Sequence, residues 1–384
     1  MKFSTIAIHT GQAADKETGA VIPPIYVSST YAQEAPGVDK GYDYSRAGNP
    51  TRNSLEEALC GLEGGARGFA FASGTGALTT VMMALLNAGD HIIVGDDVYG
   101  GTFRFIDKVI QRFGVTATFV DMTDAQNVAA AITDKTRMVF LESPTNPMLK
   151  LTDLTAVMEI AKSNNLLSCV DNTFATPYLQ QPLSFGVDVV LHSTTKYING
   201  HSDVVGGALV TRENGDVAEK IGFHQNAIGA TPDPLASWLT LRGMKTLAVR
   251  MRAHVEGATA LAEYLNGHAH VSEVIYPGLP SHPQYDLAQR QMKAGGGMIS
   301  IRLKGDGAQT TAFLQKLKLF ALAESLGGVE SLISVPALMT HASVSEEARA
   351  KLGITDTLVR ISVGIEDVED LIADLDAALN ATFG

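Results

Sequence analysis

The chain has 384 residues, 45% hydrophobic and 18% charged, which is enough for about two domains with a sizeable core. Its formal net charge of -12 argues against nucleic acid or an anionic membrane surface as the main partner, since like charges repel. Cys60 and Cys169 are too few for a disulfide framework, and neither a signal peptide nor a membrane-spanning apolar run of about 18 residues is evident, so we expect a cytoplasmic protein.

Residues 1–47 show little helical or strand periodicity and read as an extended arm. A long irregular arm on a compact protein is usually either disordered or bound to something. Its apolar and aromatic content favours a bound arm, so we expect it to contact a neighbouring subunit. The residues concerned are Ile22, Ile25, Tyr26, Val27, Tyr31, Tyr42 and Tyr44.

From about residue 53 to 215, helical stretches alternate with short apolar strands. Helices are predicted at Ser54–Glu63 and from near Thr75. The predicted strands are Gly68–Ala72, His91–Gly95, Val115–Val120, Met138–Glu142, Leu166–Val170, Val187–Leu191 and Gly206–Val210. This alternation indicates an α/β fold with a mainly parallel seven-stranded sheet and helices on both faces. Ligands gather at the carboxyl ends of such strands, where Ser73, Asp96, Glu142, Asp171 and Ser193 fall.

The remaining chain predicts a smaller C-terminal α+β domain. Residues 233–266 have helical spacing and read as one long connector. Strands follow at Met298–Leu303 and Leu358–Val363, with helices near Gly307–Lys316 and Glu366–Leu379. We therefore divide the chain into an arm at 1–47, a large domain at 48–246 and a small domain at 247–384.

Two predicted strand ends carry opposite charges. Lys196 follows the apolar run that starts at Asp188, and Asp171 ends the run that starts at Leu166. A lysine at the edge of a buried strand is costly to keep charged, so it suits attack on a carbonyl to form a Schiff base. An aspartate and a lysine placed in this way suit the ring nitrogen and the aldehyde of pyridoxal phosphate. Two unrelated polar strand ends are the alternative.

The segment Ser73-Gly-Thr-Gly-Ala77 follows a strand and opens a helix, so its amides and the helix dipole favour an anion. Thr79 breaks the dinucleotide-binding pattern, and no P-loop lysine follows. An ordinary tight turn is the alternative. The hydroxyls of Ser193 and Thr195, just before Lys196, favour a phosphate cup instead.

Other polar residues are weaker candidates. Tyr99 follows a strand end, where its ring suits stacking on a planar group, although loop packing is the more common role. Arg46 lies in the turn-rich segment 44–52, where its guanidinium suits an anion or is simply solvated. Arg360 lies inside an apolar strand and needs an anion there, either a substrate carboxylate or a structural partner.

The histidines show no metal-ligand spacing, so no metal is expected. His268 and His270 fall in a polar turn, and His192 reads as a packing residue beside Ser193.

These segments together resemble the trans-sulfuration family of pyridoxal-phosphate enzymes of fold type I, over essentially the whole chain. The resemblance runs through Tyr44-Ser-Arg-Ala-Gly-Asn-Pro-Thr-Arg52, Ser73-Gly-Thr75, Asp97-Val-Tyr-Gly-Gly-Thr102, Glu142-Ser-Pro-Thr-Asn-Pro147, Val170-Asp-Asn-Thr-Phe174, His192-Ser-Thr-Thr-Lys-Tyr-Ile-Asn-Gly-His201, Ala323-Glu-Ser-Leu-Gly-Gly-Val-Glu-Ser-Leu332 and Val359-Arg-Ile-Ser-Val-Gly364.

The resemblance implies a role for each cofactor-binding residue. Lys196 binds the cofactor covalently, Asp171 pairs with its ring nitrogen, and Tyr99 stacks on the ring and acts in catalysis. The phosphate is held by backbone amides and hydroxyls of Gly74, Thr75, Ser193 and Thr195.

Further roles follow from the same resemblance. Tyr44 and Arg46 reach the phosphate from a neighbouring subunit, which implies an active dimer, usually within a homotetramer. Asn146 and Arg360 bind the substrate carboxylate, and Ser325 lies nearby and orients Lys196.

Within the family, the pattern is most similar to bacterial cystathionine γ-lyases, which produce cysteine, 2-oxobutyrate and ammonia. Glu324 stands where enteric β-lyases usually carry a bulky aromatic residue, and Asp43 adds a second carboxylate suited to the distal ammonium of cystathionine. Phe103 departs from the polar residue of some γ-lyases. The alternatives are a β-lyase, which releases homocysteine and pyruvate, a γ-synthase, and a non-catalytic cofactor-binding regulator.

Overall fold

The computed structural model describes residues 1–342 and 345–384. Its strands are β1 Arg67–Phe71, β2 His91–Gly95, β3 Thr116–Val120, β4 Thr136–Glu142, β5 Leu167–Asp171, β6 Val189–His192, β7 Gly207–Thr211, β8 Val271–Ile275, β9 Met298–Leu303, β10 Ala321–Leu322, β11 Leu332–Ser334 and β12 Leu358–Ser362. Its α-helices are α1 Phe3–His9, α2 Pro50–Glu63, α3 Gly74–Leu85, α4 Gly100–Lys108, α5 Ala125–Ala130, α6 Leu154–Ser163, α7 Thr176–Leu179, α8 Asp216–Ile228, α9 Pro234–Met244, α10 Leu247–Asn266, α11 Tyr285–Gln291, α12 Gly307–Leu314, α13 Glu346–Leu352 and α14 Val368–Phe383. Short 3₁₀ turns lie at Ile110–Phe113 and Pro182–Phe185.

The chain forms two compact units, each built from separate stretches of sequence. The first unit comprises residues 1–87, 168–173 and 181–248, and the second comprises 88–167, 174–180 and 249–384. The division into 1–47, 48–246 and 247–384, inferred from sequence, stays a prediction.

The first unit holds four strands of a seven-stranded sheet, in the order β1-β7-β6-β5. β5 and β6 are parallel, with Asp171 opposite Leu191, so their carboxyl ends lie at the same edge. β7 runs antiparallel to β6, with His192 opposite Ala208, and therefore begins at that edge. Three segments of the chain thus meet where the two parallel strands end.

The second unit holds the other three strands of that sheet, in the order β4-β2-β3, all parallel. It also contains a five-stranded sheet in the order β10-β11-β12-β9-β8, antiparallel except for its first pair. Strand β2 is buried on both faces, as expected for a parallel strand covered by helices. The predicted α/β class, with a mainly parallel seven-stranded sheet and a smaller α+β part, is confirmed.

Helix α2 is fixed at both ends by residues suited to those positions. The Asn49 side chain caps the start by accepting from the backbone amides of Thr51 and Arg52, and Pro50 occupies the first turn. Gly64 ends the helix in the left-handed conformation, with φ of 70°. Arg52 lies near the start of α2 and Glu63 at its end, and their side chains form hydrogen bonds with different parts of the first unit.

Two predictions about helices were wrong. Helix α1 lies in the arm, which showed no helical periodicity. The predicted connector at 233–266 is two helices, α9 and α10, with a break at which the Thr246 amide and hydroxyl donate to Gly243 O at 3.2 and 3.0 Å. Among the described residues, no helix is both long enough and apolar enough to cross a membrane.

The arm is tied down at its base and exposed beyond it. The Asn49 amide group donates to Tyr26 O at 2.8 Å, and the Tyr26 amide donates to Thr51 Oγ1 at 2.9 Å. The indole of Trp238 donates to Pro23 O at 3.0 Å. Much of the segment up to residue 45 remains exposed in the single chain. Its contact with a neighbouring subunit stays a prediction.

Arg52 is buried and organises the segment that carries Tyr44 and Arg46. Only 3% of Arg52 is exposed. Its guanidinium donates at 2.7, 3.1 and 3.1 Å to the carbonyl oxygens of Ser45, Arg46 and Ala47, respectively. Its Nε lies 3.6 Å from the Glu56 carboxylate, which offsets the cost of burying the charge. Arg52 therefore fixes the turn that carries Arg46, a role that the sequence analysis did not assign to it.

Replacing Arg52 by Met should loosen this turn. The change removes three hydrogen bonds from a charged donor, each contributing about 1.5–3 kcal/mol. We expect amide hydrogen exchange across residues 44–48 to rise about 10-fold or more, measured by mass spectrometry. Arg212→Met, at an arginine on the surface of the same unit, is the matched control and should leave the segment unchanged. Equal exchange in Arg52→Met and the unsubstituted protein would contradict this role.

Candidate active site

Asp171 ends β5 as a buried carboxylate, with 8% of the residue exposed. Its Oδ1 accepts from the Thr173 amide at 3.0 Å and from the Thr173 hydroxyl at 2.5 Å. Burial raises the pKa of the Asp171 carboxyl, while the Thr173 hydrogen bonds and the charge of His192 act in the opposite direction. A cationic ring nitrogen facing this carboxylate would stabilise its charged form further.

Thr173 joins the Asp171 carboxylate to the next strand end. While its hydroxyl donates to Asp171, the same oxygen accepts the backbone N–H of Ser193 at 2.9 Å. One hydroxyl thus sets the spacing between the carboxylate and the start of the turn after β6. Sequence reasoning quoted Thr173 within a motif but gave it no role. Its position two residues after an aspartate was the available signal.

The start of α3 packs tightly against Ser193. The Ser73 hydroxyl accepts the Gly76 amide at 2.9 Å and caps the helix. A Cβ on Gly74 would lie 2.9 Å from Ser193 Cβ, and one on Gly207 would lie 2.2 Å from Ser73 O. Only glycine fits at these two positions. The first amides of a helix have no partner within it, so this close approach forms a cradle suited to an anion, and phosphate binding there stays a prediction.

The turn after β6 presents a hydroxyl and an amine in succession. Thr195 Oγ1 accepts the Gly206 amide at 3.0 Å and donates to Gly206 O at 3.2 Å, which fixes the turn against the start of β7. Lys196 is half-buried, and its backbone amide donates to Ser193 O at 3.3 Å. Ser193 and Thr195, predicted to bind the phosphate, therefore lie with Lys196, predicted to bind the aldehyde, on one hydrogen-bonded turn.

The polar groups of the first unit are chemically suited to the three functional parts of pyridoxal phosphate. The cradle at Gly74 and Ser193 suits a phosphate, the Asp171 carboxylate suits a protonated ring nitrogen, and Lys196 supplies an amine. The individual roles of Gly74, Thr75, Asp171, Ser193, Thr195 and Lys196 stay predictions. Over residues 1–342 and 345–384, no group of three or more His, Cys, Asp or Glu side chains could hold a metal ion.

Tyr44 and Arg46 lie together on the exposed side of the arm. The Arg46 guanidinium carbon is 5.3 Å from the Tyr44 ring centroid, and its Nε donates to Asn226 of α8 at 3.2 Å. Asp43 is also exposed, and its carboxylate accepts the Tyr44 amide at 2.7 Å. Because all three are exposed in the single chain, they remain available to a neighbouring subunit. That contact stays a prediction.

In the second unit, Arg360 lies on β12 with 2% of the residue exposed. Its Nη1 donates to Asn146 Oδ1 at 3.0 Å, and its Nη2 donates to Ser325 O at 2.8 Å. Ser325 has φ of 88°, a strained value for a residue with a side chain. The predicted trio Asn146, Ser325 and Arg360 is therefore brought together, and Glu324 is exposed next to it. Their roles in substrate binding stay predictions.

Tyr99 directly precedes α4, and its position depends on a backbone hydrogen bond and on a neighbouring glycine. Its amide donates to Glu142 Oε2 at 2.9 Å, and 41% of the residue is exposed. A Cβ on Gly101 would lie 2.3 Å from Cε1 of the Tyr99 ring, so the ring lies against bare backbone. A Cβ on Gly100 would lie 2.6 Å from Thr340 O. The ring is thereby fixed while part of the residue stays open to solvent.

Sequence reasoning missed two buried residues that support this second cluster. Asp97, 1% exposed, accepts from the Thr145 hydroxyl and, at 3.2 Å, from the Met148 amide, and thus anchors the loop bearing Asn146. Burial raises the pKa of Asp97 to about 6. Burial, together with the charge of Arg360, lowers the pKa of His341 to about 4, so a neutral imidazole accompanies the guanidinium.

Comparison with known proteins gives a single family. The sequence profile described as "Cys/Met metabolism PLP-dependent enzyme" matches residues 4–380. The chain is 54% identical to a cystathionine β-lyase of Coxiella burnetii, over 98% of this chain and 97% of the relative. It is 53% identical to a cystathionine γ-lyase of Dictyostelium discoideum, over 99% and 98%.

A solved structure shows the same fold. The crystal structure of cystathionine γ-synthase from Xanthomonas oryzae pv. oryzae in complex with cystathionine superposes with a TM-score of 0.97 at 48% identity. The match covers 100% of this chain and 98% of that one. Proteins named for three different reactions of cystathionine therefore resemble this chain about equally.

Proposed function

The chain belongs to the Cys/Met metabolism PLP-dependent enzyme family, and on that premise we propose that it cleaves the Cγ–S bond of L-cystathionine. The products are L-cysteine, 2-oxobutyrate and ammonia, and one water is consumed. Family membership establishes the cofactor, pyridoxal 5′-phosphate, and an amino-acid substrate of sulfur metabolism. The choice among the family's reactions is our proposal.

The observation that carries this choice is an acidic side chain next to the arginine cluster. Ser325 accepts a hydrogen bond from Arg360, and Glu324 precedes it with an exposed carboxylate. Cystathionine has an amino-acid group at each end, so a substrate whose α-carboxylate binds Arg360 also presents a distal ammonium. A carboxylate suits that ammonium better than the bulky aromatic residue usual in enteric β-lyases. Asp43, on the exposed arm, is the second carboxylate we assign to it.

When bound, the cofactor supplies an electrophilic aldehyde and a ring that withdraws electrons from the substrate Cα. We assign the binding of the cofactor to residues of the first unit. Asp171 keeps the ring nitrogen protonated, and the α3 amides with Ser193 and Thr195 bind the phosphate. Lys196 would hold the aldehyde, and binding of the amino-acid substrate would free its amine.

The released Lys196 amine then moves protons. For γ-elimination it would accept the Cα proton, deliver it to the carbon that carried the cofactor's aldehyde, and, neutral again, accept a proton from Cβ. The Cγ–S bond breaks with its electron pair on sulfur, and this sulfur receives a proton from Tyr99 or Lys196. The planar fork of Arg360, with the Asn146 amide, would hold the substrate α-carboxylate in a fixed orientation.

A β-lyase is the second candidate. The Coxiella burnetii relative at 54% identity carries that name, and β-elimination needs the same residues with one proton transfer fewer. The sulfur then leaves from Cβ, and the products are homocysteine, pyruvate and ammonia. The γ-synthase reaction is a third candidate, supported by the Xanthomonas oryzae structure. It requires an activated homoserine and cysteine as substrates.

We also propose a homotetramer built from dimers that share their active sites. Tyr44 and Arg46 are exposed and held in a fixed arrangement, as expected of side chains that serve a neighbouring subunit. The mass of the assembly in solution tests this, and a monomer would exclude it. A cytoplasmic location remains the expectation from sequence, to be tested by cell fractionation.

The reaction is tested by identifying the keto acid formed from L-cystathionine. We expect 2-oxobutyrate to exceed pyruvate, with cysteine as the thiol product, measured by chromatography of the reaction mixture. Lys196→Ala should form neither keto acid and controls for contaminating activity. Dominant pyruvate would replace this proposal with β-cleavage. If neither appears, supplying cysteine with an O-acylhomoserine tests the synthase, and no turnover there would favour a non-catalytic regulator.

Replacing Arg360 by Lys should weaken substrate binding while the protein remains folded. The ammonium keeps the charge but cannot reproduce the two hydrogen bonds to Asn146 and Ser325 or grip a carboxylate with a planar fork. We expect KM for cystathionine to rise about 10-fold or more, since hydrogen bonds to charged groups contribute about 1.5–3 kcal/mol. Arg302→Lys, at an arginine on the neighbouring strand β9, is the control. An unchanged KM would remove Arg360 from the substrate site.

A further inference from the structure

Glu63 is a buried carboxylate to which no step of the proposed reaction assigns a role. It is the last residue of α2, and 1% of its side chain is exposed. Its Oε1 accepts the side-chain amide of Asn172 at 3.1 Å and lies 2.5 Å from His192 Nε2. Both partners are fully enclosed, with Asn172 at 0% and His192 at 1% exposure.

The two hydrogen-bond partners of Glu63 are sequence neighbours of predicted cofactor-binding residues. Asn172 directly follows Asp171 at the end of β5, and His192 directly precedes Ser193 at the end of β6. The backbone N–H of Asn172 also donates to Leu191 O at 2.9 Å. A single carboxylate oxygen therefore ties together the strand end that carries the ring-nitrogen partner and the one that begins the phosphate cup.

Stability alone explains this arrangement poorly. Burying a carboxylate is costly, and apolar residues of similar volume often replace buried ion pairs with no loss of stability. Two hydrogen bonds to one charged oxygen instead give a fixed geometry. The opposite side of the same two strand ends is fixed by Thr173, which joins Asp171 to Ser193. Asp171 and Ser193 are thus held from both directions.

We propose that Glu63 is a positioning residue of the cofactor site. Through Asn172 and His192, it holds Asp171 and Ser193 at the separation that pyridoxal phosphate requires. The proposal rests on the cofactor-binding part of the proposed function, and it is independent of whether the enzyme performs β- or γ-elimination. Its consequences are therefore measured without an amino-acid substrate.

The test is Glu63→Gln, a change of nearly equal shape that removes the charge. Its matched control is Glu57→Gln, at an exposed glutamate on the same helix. Each holoenzyme is dialysed against graded pyridoxal phosphate, and the bound fraction is read from visible absorption. Outer-shell partners at metal sites change affinity by about 10–100-fold, so we expect roughly 10-fold weaker retention in Glu63→Gln alone. The visible circular dichroism of its bound cofactor should also change, because the ring is held differently.

A purely structural role gives a different result. In that case the melting temperature of the cofactor-free protein falls, while cofactor retention and the visible circular dichroism stay as in Glu57→Gln, and this would overturn the proposal. If Glu63→Gln yields no folded protein, His192→Gln decides, since it alters only one of the two contacts. Weakened retention in folded His192→Gln supports the positioning role, and unchanged retention refutes it.

Discussion

A charged carboxylate at Asp171 lies where little water reaches it, and the surrounding residues must stabilise that charge. The hydrogen bonds from Thr173 and the charge of His192 do so in part, yet burial still leaves the pKa of the carboxyl raised. A protonated ring nitrogen is the kind of partner that completes such a site. Thr173, which stabilises Asp171, also accepts a hydrogen bond from the Ser193 amide, so one hydroxyl fixes both the carboxylate and the turn after β6.

The fold supplies the remaining geometry. Because β5 and β6 are parallel, their carboxyl ends lie at one edge, and β7 starts there because it is antiparallel. Glycines at 74 and 207 let the first turn of α3 approach closer than any side chain would allow. The cradle and the carboxylate are therefore produced by backbone direction and by the absence of two Cβ atoms. Only a few side chains then need specific chemistry.

Local patterns in the sequence predicted all seven strands of the large sheet, but in the small sheet only β9 and β12, and they predicted contacts across the chain poorly. Strands β2 and β9 have the predicted bounds, since β2 is buried throughout and β9 at all but one residue. Strands β8, β10 and β11 were missed. Helix α1 was missed because seven residues with no side-chain cap leave almost no periodic signal. The break between α9 and α10 depends on a turn at Thr246 that resembles helix until its hydrogen bonds are seen.

In the candidate site, too, some residues could be identified from local sequence and others could not. Lys196 and Asp171 were identifiable as candidates because each ends an apolar run, and the family resemblance assigned both Asn146 and Arg360 to the substrate carboxylate. The fold brings these two side chains into contact across 214 residues. Arg52 and Glu63 carried no such signal. A buried arginine looks like a solvated one until its carbonyl partners are known, and Glu63 meets His192 across 129 residues. Contacts at that separation are created by the fold and are not encoded in spacing.

We propose that Lys196 forms a covalent bond to pyridoxal phosphate where β5 and β6 end beside the start of α3. Borohydride reduction of the native protein, followed by peptide mass spectrometry, tests this bond. We expect one phosphopyridoxyl group, on the peptide containing residue 196. A modified lysine elsewhere, or a native protein that acquires no such group, would contradict it.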